Sequence, residues 1–398
     1  MLHVISSAMH KEDLHLPFSL PEEWVGNHQC VAVLTGGTEA LFLQLVNEGK
    51  VSLKEPVYII ASGYSNSLAA SLEILSWIQQ HGGTGRVVTS AEQADESTDF
   101  KFQDFKISDF KFLISAKASN DRLTPCKISR FQDFKIGDEG SNVQILKSSN
   151  NAKGLRLGVV GEPSDWLIAS KVDDAYILEQ TGIQLVHIPI EEVSSLGEVD
   201  GGMAGAERIY ERLKEIVAHY ELDGLTLRCF DLLTTVKNTG CIALSHLNDE
   251  GIPASCEGDI PLLLTMILAK QKYGQIGFQV NPARIGDDGK MLFAHCTIPL
   301  KMTSSHVYDT HFESGIGVGI HGELPTGKYR LMKLSADLKQ LVDEPVELVA
   351  NQYEKNLCRT QVWLQATPEL AKQLLTHPLA NHHLLIREKE NEELKIKN

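Results

Sequence analysis

The sequence contains no apolar run that approaches the roughly 18 residues needed for a membrane-spanning helix. We therefore expect neither a membrane span nor a membrane partner. The first 20 residues mix His, Lys, Asp and Glu with apolar residues, without the basic start and long apolar core typical of a secretion signal. These features predict a cytoplasmic protein.

Clusters of basic residues are also absent. The 398 residues include 37 Lys and Arg against 52 Asp and Glu, which gives a formal net charge of -15. Nucleic acids and anionic membranes select stripes of Lys and Arg, so neither is an expected partner. The acidity itself favours solubility.

The seven cysteines are scattered, form no CxxC pair and are odd in number. This pattern fits reduced thiols better than a disulfide framework. Cys256 and Cys296 lie beside the candidate site residues introduced below, but small buried thiols are ordinary core residues. We interpret both as core.

The first third of the chain alternates apolar strands with helices. Strands are predicted at 31–34 and 57–61, each followed by a glycine-containing turn and a helix. This succession predicts a parallel sheet with right-handed crossovers. The turns that contain Thr38, Glu39 and Asn66 are interpreted as plain turns before helices, and the alternative is that these residues reach a ligand or a neighbouring subunit.

Residues 91–153 interrupt this alternation. The hexapeptide at 102–107 (FQDFKI) recurs unchanged at 131–136, within a segment rich in Lys, Asp and Ser. Two short copies are too few for a repeat array. We predict an inserted surface segment without a catalytic role.

The complete pattern predicts an α/β protein with two parallel-sheet, Rossmann-like domains and a C-terminal β-rich domain. We place the domains at 1–154, 155–285 and 286–398. The second domain contains a predicted helix at 204–219 and a strand at 225–231, which carries Arg228 and Asp231 near its carboxyl end. Ligands of such sheets usually bind at the carboxyl ends of the strands.

A short apolar segment at 252–256 leads into a turn with Glu257, Gly258 and Asp259, and a helix is predicted at 260–271. Carboxylates at the end of a strand suit a metal or catalytic site. The alternative is that Asp259 caps the helix, with Pro261 in its first turn, and that Glu257 only favours the helix dipole.

Two histidine-containing segments follow. His295 ends an apolar strand predicted at 291–299, and His382 and His383 precede the apolar residues 384–386. Each histidine on its own is more often structural than a ligand. Between Glu257 and His295 another strand is predicted to run into a turn at Asn281-Pro282.

The order of these segments resembles the L-fucose isomerase and L-arabinose isomerase superfamily, and within it a shorter branch of fucose isomerase-like proteins. The resemblance covers residues 155–390, and it extends more weakly to the turns at 36–39 and 66–68. It is carried by the segments PSDWLIAS (163–170), LTLRCFD (225–231), LNDEGIP (247–253), CEGDIP (256–261), AHCT (294–297), THFE (310–313, extending to Gly319) and NHH (381–383).

The resemblance implies an aldose–ketose isomerase that requires Mn²⁺ or Mg²⁺. It implies Glu257, His295 and His382 or His383, with His383 preferred, as metal ligands, and Glu257 with Asp259 as catalytic acids. Residues expected to contact a small sugar are Trp166, Arg228, Asp231, Asn281 and His382. The resemblance also implies a homo-oligomer, a trimer or a hexamer.

One position departs from the pattern of these isomerases. They have a second metal-binding carboxylate on the strand between Glu257 and His295, where this sequence has Gln279-Val280-Asn281. Three interpretations stay open: an isomerase in which Asp231, Asp259 or Asp287 replaces this acid or a single carboxylate suffices for a related epimerisation, a sugar-binding protein without activity, and a structural scaffold.

Overall fold

A computed structural model describes residues 2–7, 27–89, 112–114, 146 and 154–388. Both copies of the hexapeptide, and nearly all of the predicted insert, lie outside these residues. None of the helices in the described ranges combines the length and apolar character needed to cross a lipid bilayer.

The N-terminal part contains a five-stranded parallel sheet in the order β4-β3-β2-β1-β5. The apolar runs predicted as strands at 31–34 and 57–61 lie in β2 and β3. The strands are β1 (Leu2–Ser6), β2 (Gln29–Val33), β3 (Val57–Ala61), β4 (Gly85–Val88) and β5 (Phe112–Ile114), and the helices are α1 (Glu39–Asn47) and α2 (Ser67–Gln80).

A second parallel sheet has the order β7-β6-β8-β9. Its strands are β6 (Arg156–Val160), β7 (Gln184–Ile188), β8 (Gly224–Leu227) and β9 (Ala254–Cys256). The helices of this part are α3 (Asp174–Thr181), α4 (Glu191–Ser194), α5 (Met203–His219), α6 (Phe230–Thr235), α7 (Cys241–Asp249) and α8 (Ile260–Tyr273). Two parallel sheets confirm the α/β class.

The β-rich part is a closed, antiparallel barrel of six strands in the order β10-β11-β16-β15-β14-β17. A separate hairpin pairs β12 with β13. The elements are β10 (Phe278–Ile285), β11 (Lys290–His295), β12 (Ser305–Asp309), β13 (Gly319–Glu323), β14 (Gly327–Leu334), β15 (Leu341–Gln352), β16 (Thr360–Gln365), α9 (Pro368–Thr376) and β17 (His383–Arg387).

The turn predicted at Asn281-Pro282 is wrong, because β10 continues through both residues. Asn281 pairs with Ala294 of β11, and the register shifts between Pro282 and Arg284. A bulge of this kind accommodates a proline that cannot donate to the ladder. β10 is therefore a barrel strand, although its residues fall within the second predicted domain, 155–285.

Helix α8 joins the second sheet to the barrel. Its apolar residues, from Leu262 to Ala269, are buried in one cluster with Leu157 of β6, Met332 of β14 and Leu384 of β17. The turn that begins α8 consequently lies where the carboxyl end of β9 meets the barrel. The histidines of β11 and of the segment before β17 approach this point from the barrel side.

Candidate metal and sugar site

Glu257 lies in a strained turn directly after β9. Its φ is 67° and that of Gly258 is 73°, and a left-handed backbone is uncommon for a residue other than glycine. A Cβ at position 258 would lie 2.7 Å from Cα of Pro163. The Glu257 carbonyl accepts a hydrogen bond from the amide of Ser164 at 3.0 Å. Strain of this kind is typical of functional positions.

Asp259 is the N-cap of α8, as the alternative interpretation of this turn predicted. Its Oδ1 accepts a hydrogen bond from the amide of Leu262 at 2.7 Å. Its Oδ2 lies 2.8 Å from Nδ1 of His382 and 3.6 Å from Nζ of Lys333. All three side chains are buried. Asp259 thus contacts Nδ1 of His382, the ring nitrogen that does not face Glu257, and orients the ring.

Glu257, His295 and His382 converge. One ligand atom of each lies within 4.8 Å of the others, and Nε2 of His382 is 3.4 Å from Oε1 of Glu257. Nδ1 of His295 pairs with the Thr297 hydroxyl at 3.0 Å, which orients the second ring. The three residues, separated by up to 125 positions in the chain, form one buried cluster.

The structure places His382, and not the preferred His383, in this cluster. Nδ1 of His383 contacts the carbonyl of Asn381 at 2.8 Å, and its ring lies edge-on to Phe293, with centroids 5.8 Å apart. His383 is the first residue of β17, and neighbouring side chains of an extended segment point in opposite directions. The side chain of His382 therefore faces Glu257, and that of His383 faces elsewhere.

Trp166 contacts the cluster directly. Its indole Nε1–H donates a hydrogen bond of 2.6 Å to Oε2 of Glu257, and its ring packs edge-on against Phe230 at 4.9 Å. This contact occupies one oxygen of the carboxylate and leaves the other directed at His382. Trp166 was expected to contact the sugar, and here it positions Glu257.

Arg228 and Asp231 bind each other, with Nε of the arginine 3.1 Å from the carboxylate. Arg228 also forms an ion pair with Asp165 at 3.2 Å and donates to the carbonyl of Pro163 at 2.8 Å. These contacts hold the turn against which Gly258 packs. Asp287 lies exposed between β10 and β11, at the opposite end of that hairpin from His295.

The side-chain amides of Gln279 and Asn281 lie on the same side of β10, since the two residues are two positions apart. Gln279 accepts a hydrogen bond from the amide of Cys256 at 2.7 Å, directly before Glu257. Nε2 of Gln279 and Oδ1 of Asn281 are buried and have no hydrogen-bond partner among the described residues. Buried polar atoms of this kind usually bind a ligand or water.

The charge of Glu257 acts on two further carboxyl groups, Glu39, for which a ligand contact was the alternative interpretation, and Glu313. Burial first, and then the charges of Glu73 and Glu257, raise the pKa of Glu39 well above its usual range. Burial and the charge of Glu257 raise the pKa of Glu313 to about 7, although Asn66 donates a 2.7 Å hydrogen bond to it. The turns with Glu39 and Asn66, interpreted as plain turns with a ligand contact as the alternative, thus hold a carboxyl group influenced by Glu257 and a hydrogen-bond donor to another.

The electrostatics of the cluster follow from burial and proximity. Burial alone would lower the pKa of His382, but the charge of Glu257 and the hydrogen bond with Asp259 raise it to about 9. Burial alone would raise the pKa of Glu257, but the charge of His382 holds it below its usual range. Burial and the charge of His382 lower the pKa of His295 to about 3.

The donor set fits a divalent cation. The cluster offers one carboxylate and two imidazoles, and Nε2 of His382 has no hydrogen-bond partner among the described residues. A carboxylate that supports the far nitrogen of a histidine ligand, as Asp259 does here, is a usual companion of a metal site. Oxygen and imidazole ligands suit manganese or magnesium.

Comparisons with known proteins point to sugar isomerases. No family model matches the chain. It is 22% identical over 183 residues to the sulfoquinovose isomerase of Alkalicoccus urumqiensis, and 23% identical over 185 residues to those of Priestia aryabhattai and Priestia megaterium. The matches cover 39% of this chain and 40–41% of each relative. The chain is thus distantly similar to sugar isomerases over about two fifths of their length.

Proposed function

We propose that this protein is an aldose–ketose isomerase that binds a divalent cation, Mn²⁺ or Mg²⁺, through Glu257, His295 and His382. The convergence of these three side chains from distant parts of the chain is the observation that carries the proposal. The similarity to sulfoquinovose isomerases supports the same class of reaction. Its substrate would be a deoxy sugar or a pentose.

The reaction moves a proton between neighbouring sugar carbons through an enediol. A bound cation supplies charge that stabilises the oxygen on which negative charge develops. Trp166 and Asp259 keep Glu257 and His382 in place for that cation. Nε2 of Gln279 and Oδ1 of Asn281, which have no hydrogen-bond partner in the part of the chain that the structure describes, are available to bind sugar hydroxyls.

The resemblance gives Glu257 both the metal-binding and the catalytic role, and a carboxyl group that does not bind the cation would be free to carry the proton. Asp259 is occupied by the helix cap and by His382, and Asp231 by Arg228. The charge of Glu257 raises the pKa of both Glu39 and Glu313. We assign the proton transfer to one of these two glutamates.

Isotope exchange, followed together with ketose formation, tests this proposal. L-Fucose, L-arabinose and sulfoquinovose are each incubated in D₂O with the manganese-loaded protein, and deuterium at the exchanging carbon is followed by NMR. An isomerase incorporates deuterium and forms a ketose from at least one sugar. Glu257→Gln should abolish both signals, whereas His306→Asn, a change at an exposed histidine of β12, should preserve them.

A sugar-binding protein without activity is the second candidate, favoured by the amides of β10 where the resemblance implies a carboxylate. In that case calorimetry detects sugar binding, but no deuterium enters any of the three sugars. Deuterium incorporation no faster than in the absence of protein, measured at full manganese occupancy, would overturn the isomerase proposal. Loss of exchange in either Glu39→Gln or Glu313→Gln identifies the proton-transferring residue.

A further inference from the structure

A second group of metal-binding side chains lies beside the candidate site. Cys241, Cys296 and His311 each place one potential ligand atom within 4.8 Å of the others. All three residues are buried, with exposed fractions of 1%, 2% and 6%. None of them belongs to the cluster of Glu257, His295 and His382. The proposed function leaves this group without a role.

The chain separates the two groups by strand alternation. His295 is the last residue of β11 and Cys296 follows it, and successive side chains of an extended segment point to opposite faces. His295 faces Glu257, whereas Cys296 faces Cys241 at the first position of α7. His311 follows β12, and its Nδ1 contacts the hydroxyl of Ser314 at 3.1 Å, which orients the ring.

The separation of the sulfur atoms matches a tetrahedral metal centre. Sγ of Cys241 and Sγ of Cys296 are 3.5 Å apart. Two thiolates bound to tetrahedral zinc at about 2.3 Å each would be about 3.8 Å apart. An expansion of about 0.3 Å therefore converts this thiol pair into a metal-binding pair.

We propose that Cys241, Cys296 and His311 form a second cation site that binds Zn²⁺. Two soft sulfur ligands and one imidazole select zinc over manganese or magnesium, which prefer oxygen. Binding would replace the thiol protons by the cation and release them to solvent. Because the site joins α7 to the end of β11 and to the loop after β12, its cation would stabilise the segment that carries His295.

The two sites differ in their ligand atoms, and this difference makes their cations chemically distinguishable. The cluster of Glu257, His295 and His382 contains no sulfur. Cobalt(II) can replace zinc, and a thiolate bound to cobalt gives an intense charge-transfer band in the near ultraviolet. Carboxylate and imidazole ligands do not give this band.

The experiment is a cobalt titration of the reduced, metal-free, full-length protein, followed by absorbance and by the amount of cobalt bound. Up to two equivalents of cobalt can bind, one at each site, and the expected result is a thiolate band that corresponds to one of them and is displaced by zinc. Glu257→Gln should retain the band. Cys241→Ala should lose it, and Cys30→Ala, a change at an equally buried thiol of β2, should retain it.

Several results would overturn the proposal. These are the absence of the band in the unaltered protein, its persistence in Cys241→Ala, or its loss in Cys30→Ala. If Cys241→Ala does not fold, as judged by circular dichroism, His311→Gln decides, because loss of one imidazole should weaken zinc binding at least tenfold. Unchanged zinc affinity in that variant would equally contradict the site. Failure here leaves the isomerase proposal standing, since Glu257 is not involved.

Discussion

At the scale of single residues, the candidate site depends on side chains that orient the metal ligands. Trp166 and Asp259 each contact one ligand from behind, at 2.6 and 2.8 Å. A hydrogen bond to a charged group contributes about 1.5–3 kcal/mol, and loss of such a supporting contact lowers metal affinity by about 10- to 100-fold. Positioning residues should therefore affect binding nearly as much as ligands.

Trp166→Phe tests this expectation. Phenylalanine keeps the aromatic contact with Phe230 but lacks the N–H group that holds Oε2 of Glu257. We expect the dissociation constant for Mn²⁺ to rise by about 10-fold or more, measured by electron paramagnetic resonance of free manganese. Trp363→Phe is the matched control, because the indole of Trp363 donates within the barrel to Gln352. Equal affinities in the two variants would refute the positioning role.

At the scale of secondary-structure elements, much of the fold could be predicted from the sequence. Apolar runs gave the strands at 31–34 and 57–61, and the Asp259-Ile260-Pro261 pattern gave the start of α8, because both signals are local. The path of β10 through Asn281-Pro282 could not be predicted in this way. Its bulge is stabilised by pairing with β11, a contact between strands that a single segment does not reveal.

The site was predictable to a similar extent. Glu257 and His295 could be named from the ends of apolar strands. The choice between His382 and His383 required knowing which side chain faces Asp259. Glu39 could be named only as an alternative ligand contact, because the influence of Glu257 on its pKa is visible only in the folded chain. Both depend on packing between parts of the chain that are distant in sequence.

The turn between β9 and α8 offers a prediction about backbone conformation. In Gly258→Ala the new Cβ would meet Cα of Pro163 at 2.7 Å, in addition to the strain of a φ of 73°. Gly251→Ala is the control, since φ there is 88° and nothing lies within 4 Å of the new Cβ. We expect Gly251→Ala to cost about 1 kcal/mol, and Gly258→Ala to cost clearly more and to weaken manganese binding.

Urea unfolding of the two variants measures the difference, and manganese titration shows whether Glu257 has moved. The prediction fails if the two substitutions cost the same, because the contact with Pro163 would then have no energetic weight.

At the scale of the whole molecule, one buried carboxylate of α2 contacts two other parts of the chain. Glu73 accepts hydrogen bonds from the amide of Ala169 at 2.7 Å and from the amide of Asn381 at 3.2 Å. Ala169 follows β6, and Asn381 directly precedes His382. The N-terminal part of the molecule is thus coupled to the position of a proposed metal ligand.

Glu73→Ala should therefore destabilise the protein and disturb the site together. Two buried amides lose their acceptor, at about 1–3 kcal/mol each. Glu73→Gln retains one acceptor oxygen, so we expect a smaller loss of stability. Thermal unfolding and manganese affinity are the two measurements. A normal manganese affinity in folded Glu73→Ala would show that the contact with Asn381 does not position His382.

The proposed cation should itself stabilise the molecule, because Glu257 follows the second sheet whereas His295 and His382 belong to the barrel side. A ligand that binds only the folded state stabilises it by about 2.7 kcal/mol at 100 times its dissociation constant. Manganese should accordingly raise the melting temperature of the metal-free protein by several degrees, and chelation should reverse the rise. Glu257→Gln should remove most of this shift, whereas His306→Asn should not, and an undiminished shift in Glu257→Gln would place the manganese elsewhere.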